Sequence, residues 1–333
     1  MNPLPPPVEP PPAVEVPFFG LIAADLAEVE RLLHRTLASS RGHTRRLLNH
    51  LRHYRGKRLR PALLLLAAHA SGGIRPVHHV LAAVVEMIHT ATLVHDDVLD
   101  HAAVRRHAAT VNAAWGNHAS ILLGDYLFTH AFHLASTVDA RACSLIGQAT
   151  NRVCEGELHQ IGERGNLELT EEEYLEIIDG KTAELTACCG RLGALYADAP
   201  DDFVTALGHY GRWLGLAFQI ADDLLDLVGS EERTGKSLGT DLEQNKLTLP
   251  VIHLLRESPP ATATVVRQLL SSPGNHKRTA LSPYLSEHGS LDYARRRAEG
   301  FATLAREELA SLPPSPGRAV LELLTERVVH RQS

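Results

Sequence analysis

Aromatic residues are scarce in this chain, at 5% of its positions. Sandwiches and barrels lean on aromatic and β-branched residues for their pleated faces, so the scarcity argues against both. Nor is there a pair of alternating strands joined by a hairpin signal. Positive charge is not in excess: the formal net charge is −6, which excludes the basic footprint of a nucleic-acid-binding protein. Cys143, Cys154, Cys188 and Cys189 lack CxxC or other ligand spacing, which fits free thiols in a reducing cytoplasm. The 20 histidines are scattered, with no HExxH. GxGxxG, P-loop and GxSxG motifs are also missing. No run of ~18 uncharged apolar residues occurs, so no transmembrane helix is expected. Residues 1–17, MNPLPPPVEPPPAVEVP, have neither the basic start of a signal peptide nor the arginines of a transit peptide. They are read as a disordered, polyproline-like tail on one domain, residues 18–333.

What is present is helix-forming. The chain is 44% hydrophobic, mainly Ala, Leu and Val. Apolar spacing predicts helices over 18–39, 44–54, 77–100, 117–136 and 140–162. Another starts at Pro61 and stops at Gly72-Gly73, and a further one follows Pro250. Thr170 with Glu173 forms a capping box. Gly180-Lys181-Thr182 interrupts the helical stretch after it, which marks a kink or a close ligand approach. The 77–100 helix is apolar all round and therefore central.

That helix carries HDDVLD, with Asp96, Asp97 and Asp100 near its C-terminal end. Asp96 and Asp100 fall about one turn apart on one face. Their repulsion, and a helix dipole that disfavours negative charge there, both call for a cation. Alone, the motif fits a solvated acidic helix end as well as a cation site. The same spacing recurs in FQIADDLLD, at Asp222, Asp223 and Asp226, again among apolar residues. Oxygen-only ligands suit Mg2+, which prefers one or two carboxylates plus water and phosphate. Basic residues stand in separate groups: Lys57, Arg58 and Arg60 before the third helix; Arg105 and Arg106; and Lys181, Lys236 and Lys246. Carboxylates for Mg2+ with two cationic groups imply two diphosphates, and apolar walls imply hydrocarbon on each. No nucleophile arrangement is evident.

These motifs, GKRLRP at 56–61, HDDVLD at 95–100 with the arginine pair, GDYL at 124–127, GKTAEL at 180–185, FQIADDLLD at 218–226 and GKSLGTDLEQNKLTLP at 235–250, resemble the all-trans polyprenyl diphosphate synthases. The resemblance runs from about residue 45 onward. It implies an all-α bundle around a deep central cavity, usually a homodimer. It implies that Asp96, Asp100, Asp222 and, more weakly, Asp226 hold two or three Mg2+ ions. Arg105, Lys181, Lys236 and Lys246 would bind an allylic diphosphate. Lys57, Arg60, His89 and Arg106 would bind isopentenyl diphosphate. Lys181, Thr182 and Gln219 would be catalytic, the last two facing the allylic carbon. The chain departs from the family's frequent RRGxPT, reading RRHAAT at 105–110, which puts that loop's shape in question.

In such enzymes cavity depth sets product length. Ala91 and Thr92 lie one turn before Asp96 and are small, so a hexaprenyl to decaprenyl product is expected, with Phe128 and Phe132 as candidate floors. A cytoplasmic enzyme with peripheral membrane contact for product release is the accompanying expectation. Alternatives are a farnesyl- or geranylgeranyl-length enzyme, a terpene cyclase, or a non-catalytic partner subunit of this fold. Two DDxxD clusters with GKRLRP argue against the cyclase, and retention of the acids and lysines argues against the inactive subunit.

Overall fold

A 3-10 turn, Pro17–Ile22, leads into α1 (Ala23–Thr36), α2 (Gly42–His50), α3 (Leu59–Ser71) and α4 (Pro76–Leu99) in this computed structural model. Strands β1 (Val104–Arg105) and β2 (Ala108–Ala109) follow, then α5 (Val111–Trp115), α6 (Asn117–Ser136), α7 (Ala140–Gly162) and α8 (Glu171–Ile178). A π-helical turn, Asp179–Ala183, joins α8 to α9 (Glu184–Leu195), and α10 (Asp201–Val228) comes next. The rest is α11 (Thr240–Glu243), α12 (Leu249–Glu257), α13 (Pro260–Ser271), α14 (Lys277–Glu287), α15 (Ser290–Glu308) and α16 (Pro316–Val329). The structure describes residues 17–54, 56–229, 238–272 and 276–329. The expected disordered tail therefore lies outside them, apart from Pro17, which opens the first turn.

The all-α expectation holds, with three local differences. The helix read over 18–39 starts properly only at Ala23, because Phe19 has a non-helical backbone next to Gly20. The helix read over 44–54 tightens into a 3-10 turn at Leu51–Tyr54. The sequence also showed no hairpin, yet residues 104–109 form one, with Val104 paired to Ala109 and Arg105 to Ala108. Its two turn residues, Arg106 and His107, both have positive φ, 51° and 63°. Short hairpins favour such turns, normally with Gly or Asn. Neither stands here, so the signal was absent from the sequence.

The capping box at α8 forms as read. Thr170 Oγ1 accepts from the Glu173 amide at 3.2 Å, and the Glu173 carboxylate accepts from the Thr170 amide at 2.8 Å. Replacing Thr170 with alanine should cost ~1 kcal/mol in urea denaturation.

Helix α10 packs against α9 and α15, α3 against α9, and α4 against α6. Buried side chains fall into two clusters. The larger spans α3, the first half of α4, α9 and α10; the smaller holds Leu47, Tyr54, Ala91, Val94, Leu123 and Leu127. Phe128 of α6 touches both. Between them runs a seam of half-buried α4 residues, His89, Thr90, Thr92, His95 and Asp96. Helix α4 alone among the described helices is long and apolar enough to cross a membrane; here most of it is buried in the protein. All four cysteines are free.

Candidate active site

Helices α4 and α10 both end in acids. Asp100 is the C-cap of α4, and Asp226 lies in the last turn of α10. The middle acid of each cluster turns inward onto a tyrosine. Asp97 is fully buried and accepts from the Tyr54 hydroxyl and from Arg105 Nε at 2.8 Å. Asp223 accepts from the Tyr174 hydroxyl at 2.6 Å and Gln219 Nε2 at 2.8 Å. Asp226 is also buried; its carboxylate accepts from Thr240 Oγ1 at 3.1 Å and the Asp241 amide at 3.3 Å, capping α11.

The outer acids keep access to solvent: Asp96, Asp100 and Asp222 are half-buried. Burial pushes the Asp96 carboxyl up to about 6, against the pull of nearby Lys181, while Glu157 and Asp100 raise it further. That is a carboxylate short of compensating charge. Asp100 has two cations on one oxygen, Arg164 Nη2 at 3.0 Å and Lys246 Nζ at 2.9 Å. Among the described residues no three His, Cys, Asp or Glu side chains form a common metal cluster. The described residues thus offer no all-protein cage, but Mg2+ does not need one. A single carboxylate from Asp96 or Asp100, with water and phosphate, fits that ion's preference.

Lys181 sits on the π-turn. Its ammonium donates to Gln160 Oε1 at 2.8 Å and pairs with Glu157. Burial works against its charge, but Asp96 and Glu157 outweigh that and raise its pKa. The next residue, Thr182, donates from Oγ1 to Gln219 Oε1 at 2.7 Å. A relay thus runs Tyr174–Asp223–Gln219–Thr182, fixing the two polar groups expected at the allylic carbon. The turn presses on α7: a Cβ on Gly180 would lie 2.9 Å from the Arg152 carbonyl, and one on Gly156 would meet the Lys181 amide. The interruption read at Gly180 is this contact. Arg212 grips Asp179 at the start of the turn with two 2.6 Å hydrogen bonds.

A second cationic group faces His89. Burial lowers the His89 pKa well below its usual range, and Arg60, Arg106, Arg105 and Arg58 lower it further, so the ring is neutral. Arg60 Nε is buried with no hydrogen-bond partner, an open donor for an anion. Arg106 donates to the Tyr54 carbonyl and lies across Gly56, where a Cβ would come 2.5 Å from its guanidinium. Lys57 is exposed beside them. Arg58 points elsewhere, with φ of 53° and ion pairs to Glu30 and Glu86. The structure thus brings Arg60, His89 and Arg106 together, and Asp96, Asp100, Lys181 and Lys246 together. Arg105 is held on Asp97, between the two groups. Lys236 lies outside the described residues.

Among the chain-length residues, Ala91 is fully buried in the smaller apolar cluster. Thr92 is half-buried and donates to the His89 carbonyl at 2.8 Å. Phe128 lies beside His95, ring centroids 5.8 Å apart, and Phe132 packs on the larger cluster. Asp125 of GDYL approaches His95 at 3.5 Å, as suits a structural role.

Sequence reading missed Glu157, Gln160 and Arg164, the partners of Lys181 and Asp100. A signal was available: they recur at i, i+3 and i+7, one face of a helix and its exit turn. Tyr54 and Tyr174 carried no such signal, since their partners are distant in sequence.

The polyprenyl synthetase family model matches residues 42–285. Octaprenyl diphosphate synthase of Escherichia coli is 37% identical over 317 residues, covering 93% of this chain and 97% of that one. The crystal structure of a decaprenyl diphosphate synthase from Rhodobacter capsulatus superposes with TM-score 0.88 at 38% identity, covering 95% and 99% of the two chains. A polyprenyl synthase from Caulobacter crescentus, complexed with calcium and isoprenyl diphosphate, gives 0.91 at 36%, covering 95% and 97%. With its two acid-ended helices and its two cation groups, the chain belongs to the polyprenyl synthetase family, and it is a prenyltransferase of the all-trans polyprenyl diphosphate synthase type.

Proposed function

We propose that this enzyme condenses isopentenyl diphosphate with an allylic diphosphate to give a long-chain all-trans polyprenyl diphosphate, hexaprenyl to decaprenyl. The observation that carries the reading is the pair of cation groups flanking a carboxylate cluster, one around His89 and one around Lys181. Asp96, Asp100 and Asp222 would hold two or three Mg2+ ions, which when bound would take up charge on the departing diphosphate. Lys181 and Lys246 grip the same allylic diphosphate, joined by Lys236. Arg60, Arg106, Lys57 and neutral His89 hold isopentenyl diphosphate against the seam. Thr182 and Gln219, hydrogen-bonded to each other, would offer oxygen lone pairs to the allylic carbon, where positive charge develops as the diphosphate leaves. The isopentenyl double bond attacks that carbon, and the adduct loses a proton to the released diphosphate. Apolar walls exclude the water that would quench the cation.

Purified protein with Mg2+, labelled isopentenyl diphosphate and farnesyl diphosphate should yield chains of ~30–50 carbons on sizing chromatography. Absence of elongation would overturn the reading. The long product rests on small residues at 91 and 92 and on relatives named for octaprenyl and decaprenyl products. Ala91→Phe is expected to shift the product to fewer isoprene units; an unchanged distribution would refute the tunnel assignment. A homodimer is the assembly we favour, because exposed Ile121, Leu122, Leu158 and Ile161 stand on α6 and α7, which pack together.

A further inference from the structure

We infer that Arg164 is an exchanging counter-ion of the first acid cluster: it neutralises Asp100 before substrate arrives and moves to the allylic diphosphate once metal takes that carboxylate. The inference rests on the metal-ligand reading of Asp100.

Arg164 stands in the turn after α7, and Asp100 Oδ1 receives both its Nη2 and Lys246 Nζ. Gln244 Nε2 adds a bond to the Asp100 carbonyl at 3.2 Å, and the Gly165 amide ties the turn to the Asn245 carbonyl at 2.8 Å. Both cations sit on Oδ1, and a Mg2+ ion on the same carboxylate would face their like charge at close range, which favours the departure of one of them. Side-chain exposure picks Arg164, at 27% against 6% for Lys246. A pocket of about 230 Å3 beside this junction, lined by Gly165, Asn245, Lys246 and Leu270 among others, leaves the turn room to shift.

A guanidinium cannot shed its charge to escape the incoming ion; it has to find another anion. The nearest new one is the diphosphate that arrives with the metal. Arg164 is equipped for it: its Nε is buried without a hydrogen-bond partner, and the planar fork suits phosphate oxygens. The exchange has a kinetic meaning. Metal alone must displace Arg164 with nothing offered in return, whereas metal with diphosphate offers it a better anion. Arg164 thus favours joint entry of metal and allylic substrate.

The test titrates Mn2+ into substrate-free protein, following the free-ion signal by electron paramagnetic resonance, alongside steady-state kinetics with farnesyl diphosphate. Arg164→Gln should bind Mn2+ about tenfold more tightly than wild type, while KM for farnesyl diphosphate rises about tenfold. Arg164→Lys keeps the charge but not the fork: Mn2+ affinity should stay near wild type while KM still rises. Unchanged Mn2+ affinity in Arg164→Gln, or unchanged KM in both variants, would overturn the inference. Wild-type protein that binds no Mn2+ even with farnesyl diphosphate present would instead overturn the metal reading beneath it.

Discussion

Asp96→Ala is expected to lower kcat/KM by about a thousandfold, the rate equivalent of ~4 kcal/mol. The acid stands half-buried beside Lys181, with burial holding its carboxyl near 6. A carboxylate left undercompensated in the fold gains most from a divalent ion, so its loss removes ligand and electrostatic reason together. Asp97 is the control. It is buried on Tyr54 and Arg105, so Asp97→Asn should disturb the arginine and leave Mn2+ binding largely intact. A variant at 96 that kept a tenth of wild-type kcat/KM would sink the assignment. A pH dependence follows. Proton and metal compete for Asp96, so Mn2+ affinity should rise as pH goes from about 5 to about 7. With metal chelated, the sign for stability is opposite. The folded pKa lies above the unfolded value, so Asp96 contributes its stabilisation fully below about pH 4 and loses it as pH rises through about 6. Melting curves in chelator across that window read the effect.

Gly156→Val is expected to destabilise the protein by about 3 kcal/mol and to raise KM for the allylic diphosphate about a hundredfold. A Cβ there would meet the Lys181 amide, with the Gly180 carbonyl carbon at 2.9 Å. Both obstacles are backbone, so no side chain can swing aside to make room. The relief has to be a shift of the π-turn, which carries Lys181 and Thr182. A milder Gly156→Ala should show the same pairing of effects at smaller size. Urea denaturation and allylic KM measured together test it. Full stability with normal KM would mean that the two backbones are not as close as described.

Much of this site was legible because chemistry and period coincided. Asp96 and Asp100 share a helix face, and the bounds of α6 and α7 followed from apolar spacing and their polar flanks. The rest was hidden by distance. Nothing near Tyr54 in sequence announces Asp97, 43 residues on, nor does Tyr174 announce Asp223, 49 residues on. The hairpin was hidden for another reason. Its turn places Arg106 and His107 in a conformation that favours glycine, so the usual sign was missing and only the fold enforces it. Asp226 copies the spacing of Asp100, and what the sequence did not announce is that the downstream turn engages its carboxylate as a cap.

The π-turn at Asp179–Ala183 also governs phase. A helix advances about 100° per residue, so one surplus residue in a turn rotates everything after it by about that amount. Helices α8 and α9 run on through the turn as one rod, yet their faces answer to different neighbours. Tyr174 before it reaches Asp223; Gly190 and Gly193 after it lie against the backbones of α10 and α3. Deleting a single residue here would bring the rod back to a uniform α-helix and still break the protein, because Tyr174 and the glycines could no longer both be in register. For the fold, therefore, side-chain changes in this stretch that keep Gly180 and the Asp179–Arg212 pair should be tolerated far better than any change in length.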